Sequence, residues 1–173
     1  GKLFSDKNKK YKNIRSTILL KKVIELIKSK KSIMFTDIVG YSAMTMQDES
    51  LSMEILHKHD SLLEPIIGRH DGQVIKHIGD AIFATFDEPD ACVSAAIEIQ
   101  SKLKKRNAVS KNKEIFQIRI GIHSGDVIPK DDDLFGNEVN LCSRIEGTAV
   151  PGGIALSRVF LDEIEVSKFF TRS

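Results

Sequence analysis

The sequence predicts an α+β fold: a ferredoxin-like, palm-type βαββαβ core with an antiparallel-rich sheet, helices packed on it and a further helix ahead of it. Three observations carry this. Apolar runs of strand length alternate with longer segments whose apolar residues recur at helical spacing. Two of the runs, Gln73–Ile78 and Ala81–Phe86, are separated only by Gly79-Asp80, a hairpin signal. The resulting order, β-α-β-β-α-β-α-β, has the βαββαβ unit at its centre.

Taken in order, residues 1–13 are polar and expected to be loose. Over residues 14–28, Ile14, Ile18, Leu19, Val23, Leu26 and Ile27 fall close to one helical stripe, with lysines on the other face. Such a helix either packs on its own domain or couples it to an upstream sensor or a partner chain. Residues 32–39, rich in Ile, Met, Phe and Val and ended by Gly40, read as a buried strand. Glu49–Arg69 reads as a helix with Leu51, Ile55, Leu62 and Ile66 along one side. Asp71-Gly72 is a turn into the hairpin. Pro89 opens a helix through residue 106, apolar at Ala91, Ala95, Ile99 and Leu103. Residues 107–114 are a polar loop, and 115–128 a long strand interrupted near Gly121 and Gly125. Residues 130–133 form an acidic loop, 136–148 a third helix, and Pro151-Gly152-Gly153 a turn. A short strand at 154–156 follows, and Ser157 caps a last short helix.

Composition narrows the function classes. With 173 residues, 41% hydrophobic and 29% charged, the chain is sized and composed as one globular domain. No apolar run approaches the roughly 20 residues of a membrane helix, and the lysine-rich start lacks the apolar core of a secretory signal. Two cysteines, Cys92 and Cys142, make neither a disulfide framework nor a zinc site, so a cytoplasmic setting is expected. Opening on Gly1, not Met, fits an excised piece of a longer protein or the scar of a removed tag. The formal charge is +9 over residues 1–31 and −7 over the remainder. The basic segment has the charge to touch an anionic surface, but no aromatic residues interleave with its lysines as base stacking requires, so no nucleic-acid partner is expected.

The chemistry begins with two aspartates at strand ends: Asp37 in Phe35-Thr36-Asp37-Ile38-Val39-Gly40-Tyr41-Ser42, and Asp80 at the hairpin turn. Placed side by side, two carboxylates repel each other, and a hard divalent ion such as Mg²⁺ or Mn²⁺ relieves the repulsion. After Asp37 the chain bends toward a helix, and backbone N–H groups at such a bend can cradle phosphate oxygens. In the third predicted helix, Asn140 and Arg144 are four residues apart and share a face, presenting an amide beside a guanidinium suited to a charged phosphoryl transition state. Cys142 between them reads as core. His57, His59 and His70 read as helix-surface residues and His123 as structural.

These motifs, FTDIVGYS, KHIGDAIFATF, IRIGIHSGD and DLFGNEVNLCSRIE, occur in order over about residues 32–160, and together they make the chain resemble the catalytic domain of class III adenylyl/guanylyl cyclases, most closely the compact bacterial adenylate cyclases. The resemblance divides the chain into a basic segment, 1–31, and a catalytic domain, 32–173. By position it implies that Asp37, Asp80 and the Ile38 carbonyl hold two Mg²⁺ or Mn²⁺ ions per site. It implies that Ile38, Val39, Gly40, Tyr41 and Ser42 meet the β- and γ-phosphates, that Asn140 orients the ribose, and that Arg144 stabilises charge at the α-phosphate. Lys76 and Asp133 match the purine readers. Lys donates to adenine N1 and Asp accepts from the N6 amine, whereas guanylyl cyclases carry Glu and usually Cys there. The implied substrate is ATP and the implied product 3′,5′-cyclic AMP.

The family builds its sites between two catalytic domains, so the resemblance also implies a head-to-tail homodimer, with a possible upstream sensor. In the family, a further strand pair supplies a triphosphate-binding lysine. The sequence ends at Ser173 and Lys168 does not match that lysine, so these strands are expected to be truncated. The short stretch between Gly125 and Asp133 implies a reduced dimerisation arm. Guanylate cyclase activity and a catalytically weak regulatory domain are the alternatives. A diguanylate cyclase would need a Gly-Gly-acidic-acidic-Phe hairpin, and this hairpin reads Ile78-Gly79-Asp80.

Overall fold

In the computed structural model, which describes the backbone of residues 2–170 and the side chains of residues 13–170, the predicted core is present. Strand β1 (Ser29–Ile38) is followed by helices α2 (Tyr41–Gln47) and α3 (Glu49–Arg69), the hairpin β2 (Gln73–Ile78) and β3 (Ala81–Phe86), helix α4 (Pro89–Val109) and strand β4 (Ile118–Lys130). Then come β5 (Asp133–Phe135), α5 (Asn137–Glu146), β6 (Ile154–Leu156) and α6 (Arg158–Leu161). Ahead of them runs α1 (Lys2–Ile27). The sheet order is β2-β3-β1-β4-β5, antiparallel throughout, with β6 added parallel to β4.

Period-two alternation along β1 sorts its side chains between two layers. Met34 and Ile38 enter the larger core with α3 and α4, where Ile55, Leu63, Ile67, Ile99 and Leu103 are buried. Ile33 and Phe35 face the other way, into a smaller core with Phe83, Val127 and Cys142 of α5. The sheet is thus covered by two long helices on one face and by one ten-residue helix on the other. Asp37, two residues after Phe35, shares the thinly covered face.

Local signals explain the boundaries. Asp48 Oδ1 accepts from Leu51 N at 2.9 Å, an N-cap for α3. Pro89 stands at the start of α4. Ser157 Oγ accepts from Phe160 N at 3.1 Å and caps α6.

Three expectations are corrected and one open alternative is decided. Helix α1 starts at Lys2, because no Gly or Pro interrupts residues 2–27 and lysine is a good helix former; the side chains of residues 1–12 lie outside those described. Its apolar stripe does not pack on the domain: Leu19 is 64% and Leu26 84% exposed. Strand β4 is continuous, since its glycines make room for packing and do not break pairing. A Cβ on Gly121 would lie 2.3 Å from the Glu146 backbone nitrogen, and one on Gly125 2.4 Å from Glu138 Cγ. The expected acidic loop is a two-residue hairpin turn, with Asp131 and Asp132 at φ 51° and 60° and Lys130 paired to Asp133. Among the described residues, no helix is long and apolar enough to cross a membrane.

Candidate active site

Cross-strand register assembles the site on the thinly covered face. Asp37 lies opposite Arg119 of β4, and Arg119 Nη1 is 3.6 Å from Asp37 Oδ2. One step deeper, Lys76 of β2 pairs with Phe83, Phe83 with Phe35, and Phe35 with Gly121. Phe35 and Phe83 stack with centroids 4.9 Å apart and planes 4° from parallel. The missing side chain at Gly121 lets the end of α5 come down onto the sheet, which brings in Glu146. A cavity of about 390 Å³ results, lined by Phe35, Asp37, Lys76, Leu134, Asn140 and Glu146 among others. Its size suits a small-molecule ligand.

The β2–β3 turn delivers Asp80 to the end of β1. Asp80 Oδ2 accepts from Ile38 N at 2.9 Å. Burial and the neighbouring Asp80 carboxyl push Asp37 up to about 7, Glu146 adds to the push, and the Arg119 guanidinium opposes it. Burial likewise raises Glu146, against Arg119 and with Asp80. Glu146 Oε1 is buried without a hydrogen-bond partner. Asp37 and Glu146 therefore share one guanidinium, with the Asp80 carboxyl beside them, an excess of negative charge that a divalent cation would neutralise. The oxygen-only donors of Asp37 and Asp80 fit Mg²⁺ or Mn²⁺.

At the other side of the cavity, Lys76 Nζ donates to Asp133 Oδ2 at 2.5 Å and lies 5.7 Å from the Phe135 ring centroid. Leu134 N donates to Asp133 Oδ1 at 2.7 Å. The bond from Lys76, with help from Leu134 N–H, holds the Asp133 carboxyl below its usual range. The hairpin turn at Asp131-Asp132 fixes this register, since Asp133 is the first residue after it.

Asn140 and Arg144 are exposed on α5. Asn140 lines the cavity; Arg144, one turn on, does not, and no described carboxylate pairs with it. In the bend after Asp37, two N–H groups are committed, Ile38 N to Asp80 and Val39 N to Gln117 O at 2.9 Å. Gly40, at φ 73°, turns the chain into α2, whose first residues Tyr41 and Ser42 leave their N–H groups without helical partners. One chain thus lines the cavity with Asp37, Lys76 and Asn140, holds Asp80 against Ile38 N and Asp133 against Lys76 next to them, and leaves Arg144 off the lining. Sequence reasoning missed Arg119 and Glu146. Their signal was a lone arginine between buried Ile118 and Ile120, and an acid two residues after Arg144.

The remaining polar residues of interest are structural. Cys142 is fully buried, its Sγ donates to Ile33 O at 3.2 Å, and burial pushes its thiol up to about 12. Ser157 Oγ, committed to capping α6, lies 2.7 Å from His123 Nδ1, and His123 Nε2 lies 2.5 Å from Glu138 Oε2. This chain of contacts ties β4 to α5 and α6. His57 is exposed and His70 half-buried as read, but His59 is completely buried, because α3 turns it inward beside Phe116.

The described geometry has counterparts. The pattern of the adenylate and guanylate cyclase catalytic domain matches residues 27–170. A putative adenylate cyclase 3 of Rhizobium meliloti (strain 1021) is 35% identical over 127 residues, 73% of this chain and 22% of that protein. An adenylate cyclase of Anabaena cylindrica is 33% identical over 133 residues, 67% of this chain and 26% of that protein. The chain therefore spans about a quarter of the length of these two relatives. Among solved structures, an adenylate/guanylate cyclase/hydrolase from Silicibacter pomeroyi superposes with a TM-score of 0.72 at 32% identity, covering 78% of this chain and 79% of that one. The catalytic core of a rhodopsin-guanylyl cyclase with converted specificity, in complex with ATPalphaS, gives 0.70 at 26% identity, covering 80% and 84%. The chain belongs to the class III adenylyl/guanylyl cyclase catalytic-domain family.

Proposed function

We propose that this domain is an adenylate cyclase, converting ATP to 3′,5′-cyclic AMP and pyrophosphate in cytoplasmic signal transduction. The observation that carries the choice of ATP is the Lys76–Asp133 pair beside the cavity. An ammonium donor next to a carboxylate acceptor complements adenine, which offers an acceptor at N1 and a donor at N6. Guanine offers an N1–H donor and an O6 acceptor, so both contacts would be mismatched. Leaving buried polar groups unpaired costs about 1–3 kcal/mol each.

Asp37, Asp80 and the Ile38 carbonyl would hold two Mg²⁺ or Mn²⁺ ions, which when bound acidify the ribose 3′-hydroxyl and neutralise the triphosphate. The 3′-oxygen attacks the α-phosphorus in line, and the bond to the bridging oxygen of pyrophosphate breaks. Asn140 orients the ribose, and Arg144 stabilises the charge that grows on the α-phosphoryl oxygens. In the bend Ile38–Ser42, the N–H groups of Tyr41 and Ser42 are those without a helical partner for the β- and γ-phosphates. No described carboxylate pairs with Arg144 and it does not line the cavity, which supports a head-to-tail homodimer in which Asn140, Arg144 and the purine readers of one chain serve the aspartates of the other. Helix α1, with its exposed apolar positions, is suited to couple the domain to an upstream sensor.

The test is incubation with Mn²⁺ and either ATP or GTP, with chromatographic detection of the cyclic product. Cyclic AMP from ATP in excess over cyclic GTP from GTP is expected. A preference for GTP would establish the guanylate cyclase alternative. No product from either, including from a chain extended at its C-terminus, would favour the regulatory one.

A further inference from the structure

The face of β2 opposite Lys76 carries a second cluster of metal-ligating side chains. The pairing of β2 with β3 is irregular between Val74 and Lys76, a bulge of the kind that re-aims side chains next to functional sites. Beyond it Lys76 pairs with Phe83, on the cavity face, and His77 with Ile82, on the α3 face. On α3, Asp60 and Glu64 are four residues apart and meet His77 together. His77 Nε2 is 3.1 Å from Glu64 Oε1, and Nδ1 is 3.8 Å from Asp60 Oδ2. One ligand atom from each of the three residues lies within 4.8 Å of the others.

A separate feature orients this cluster. His59 is completely buried, its Nε2 has no partner, and its Nδ1 lies 2.8 Å from Asp60 Oδ1, a carboxylate oxygen that accepts the bond. A polar ring is costly to bury with one nitrogen unsatisfied. Its single bond turns the Asp60 carboxylate so that Oδ2 faces His77. A hydrogen-bond donor behind a ligating carboxylate, holding it in place, is the usual companion of a metal site.

The geometry points to a second divalent-cation site, formed by Asp60, Glu64 and His77, braced by His59, and taking a zinc-class transition ion. The imidazole selects such an ion over Mg²⁺, whose preferred ligands are all oxygen. Three protein ligands on a solvent-facing surface leave a position for water, as in open zinc sites. An ion there would tie β2 to α3. The site is independent of the proposed catalytic reaction, and neither His77 nor Glu64 takes part in it.

The test is calorimetric titration of Zn²⁺ into the whole chain in excess Mg²⁺, which occupies the all-oxygen pair Asp37/Asp80. One Zn²⁺ per chain is expected. His77→Ala and Glu64→Gln should each weaken binding at least about tenfold while circular dichroism stays unchanged. An Asp37→Asn/Asp80→Asn variant should bind Zn²⁺ as the parent does. Absence of binding, or binding unchanged by His77→Ala, overturns the assignment. Loss of binding in the double aspartate variant also overturns it, by placing the ion at the catalytic pair. With Co²⁺ in place of Zn²⁺, a visible absorption band that disappears in His77→Ala would give the same answer without calorimetry.

Discussion

At Asp37 the fold accepts a local cost. A carboxyl raised to about 7 is less readily ionised in the fold than in the unfolded chain, where carboxylates titrate near 4. Stability of the metal-free protein is therefore highest at low pH as far as this group is concerned, and falls as pH rises through that interval. Asp37→Asn should remove the pH-dependent loss. In chelator at pH 8 it should stabilise by about 1 kcal/mol, well under the full shift because the group is a third exposed and screened, or about 2–4 °C in melting temperature. On the proposed function Mn²⁺ should raise the melting temperature of the parent, and the same variant should lose that rise together with the proposed cyclase activity. Calorimetric scans with and without the ion check all of this. Specificity is also a residue-scale property: Lys76→Glu with Asp133→Cys should move preference from ATP toward GTP, read as the ratio of kcat/KM values. An unchanged ratio would mean that other residues read the purine. Asp37 and Asp80 were legible in the sequence because each ends an apolar run at a turn. Arg119 and Glu146 were not, because their role depends on strand register and on α5 descending at Gly121, neither of which has a local signal.

The hairpin from β4 to β5 shows what an element can hide. Asp131 and Asp132 both adopt left-handed backbone, which aspartate tolerates but which an Asn-Gly or Asp-Gly pair announces more strongly. The stretch Lys130-Asp131-Asp132-Asp133 therefore reads as a polar loop, although it sets the position of Asp133. Asp132→Gly should stabilise by about 0.5 kcal/mol, raise the melting temperature by a degree or two, and keep activity, because the register of Asp133 is unchanged. Loss of activity with a raised melting temperature would show that Asp132 has a role beyond the turn. By contrast, Gln73–Ile78, Ala81–Phe86 and Glu49–Arg69 have the bounds read from sequence. Their limits are written in Gly79-Asp80, in the Asp48 cap and in Asp71-Gly72, all of which act locally. Gly121 and Gly125 misled in the opposite direction: each looks like a break in a strand, and each is a contact with a helix.

For the whole molecule, the number of chains per site is the open quantity. If each site takes Asp80 from one chain and Arg144 from the other, Asp80→Ala and Arg144→Ala are each inactive alone. Mixed in equal amounts and allowed to exchange, they should recover about a quarter of parental activity, because half the dimers are mixed and each carries one intact site. No recovery would point to sites built within one chain. The order of apolar runs, helical stripes and the Gly79-Asp80 hairpin is visible in sequence, so the architecture could be read there; the division of β1 between two cores could not, because Ile33-Met34-Phe35 is apolar without alternation. The association of chains could not, since exposed Asn140 and Arg144 look the same from within one chain whether or not a second chain covers them.

The bend after Asp37 also has an optical consequence. The chain holds two tyrosines, Tyr11 and Tyr41, and no tryptophan. Tyr41 opens α2 four residues after Asp37 and packs partly into the larger core. In a Tyr11→Phe protein it is the single intrinsic fluorophore. Its emission would follow, without any attached dye, how the bend responds when a cation or a nucleotide arrives.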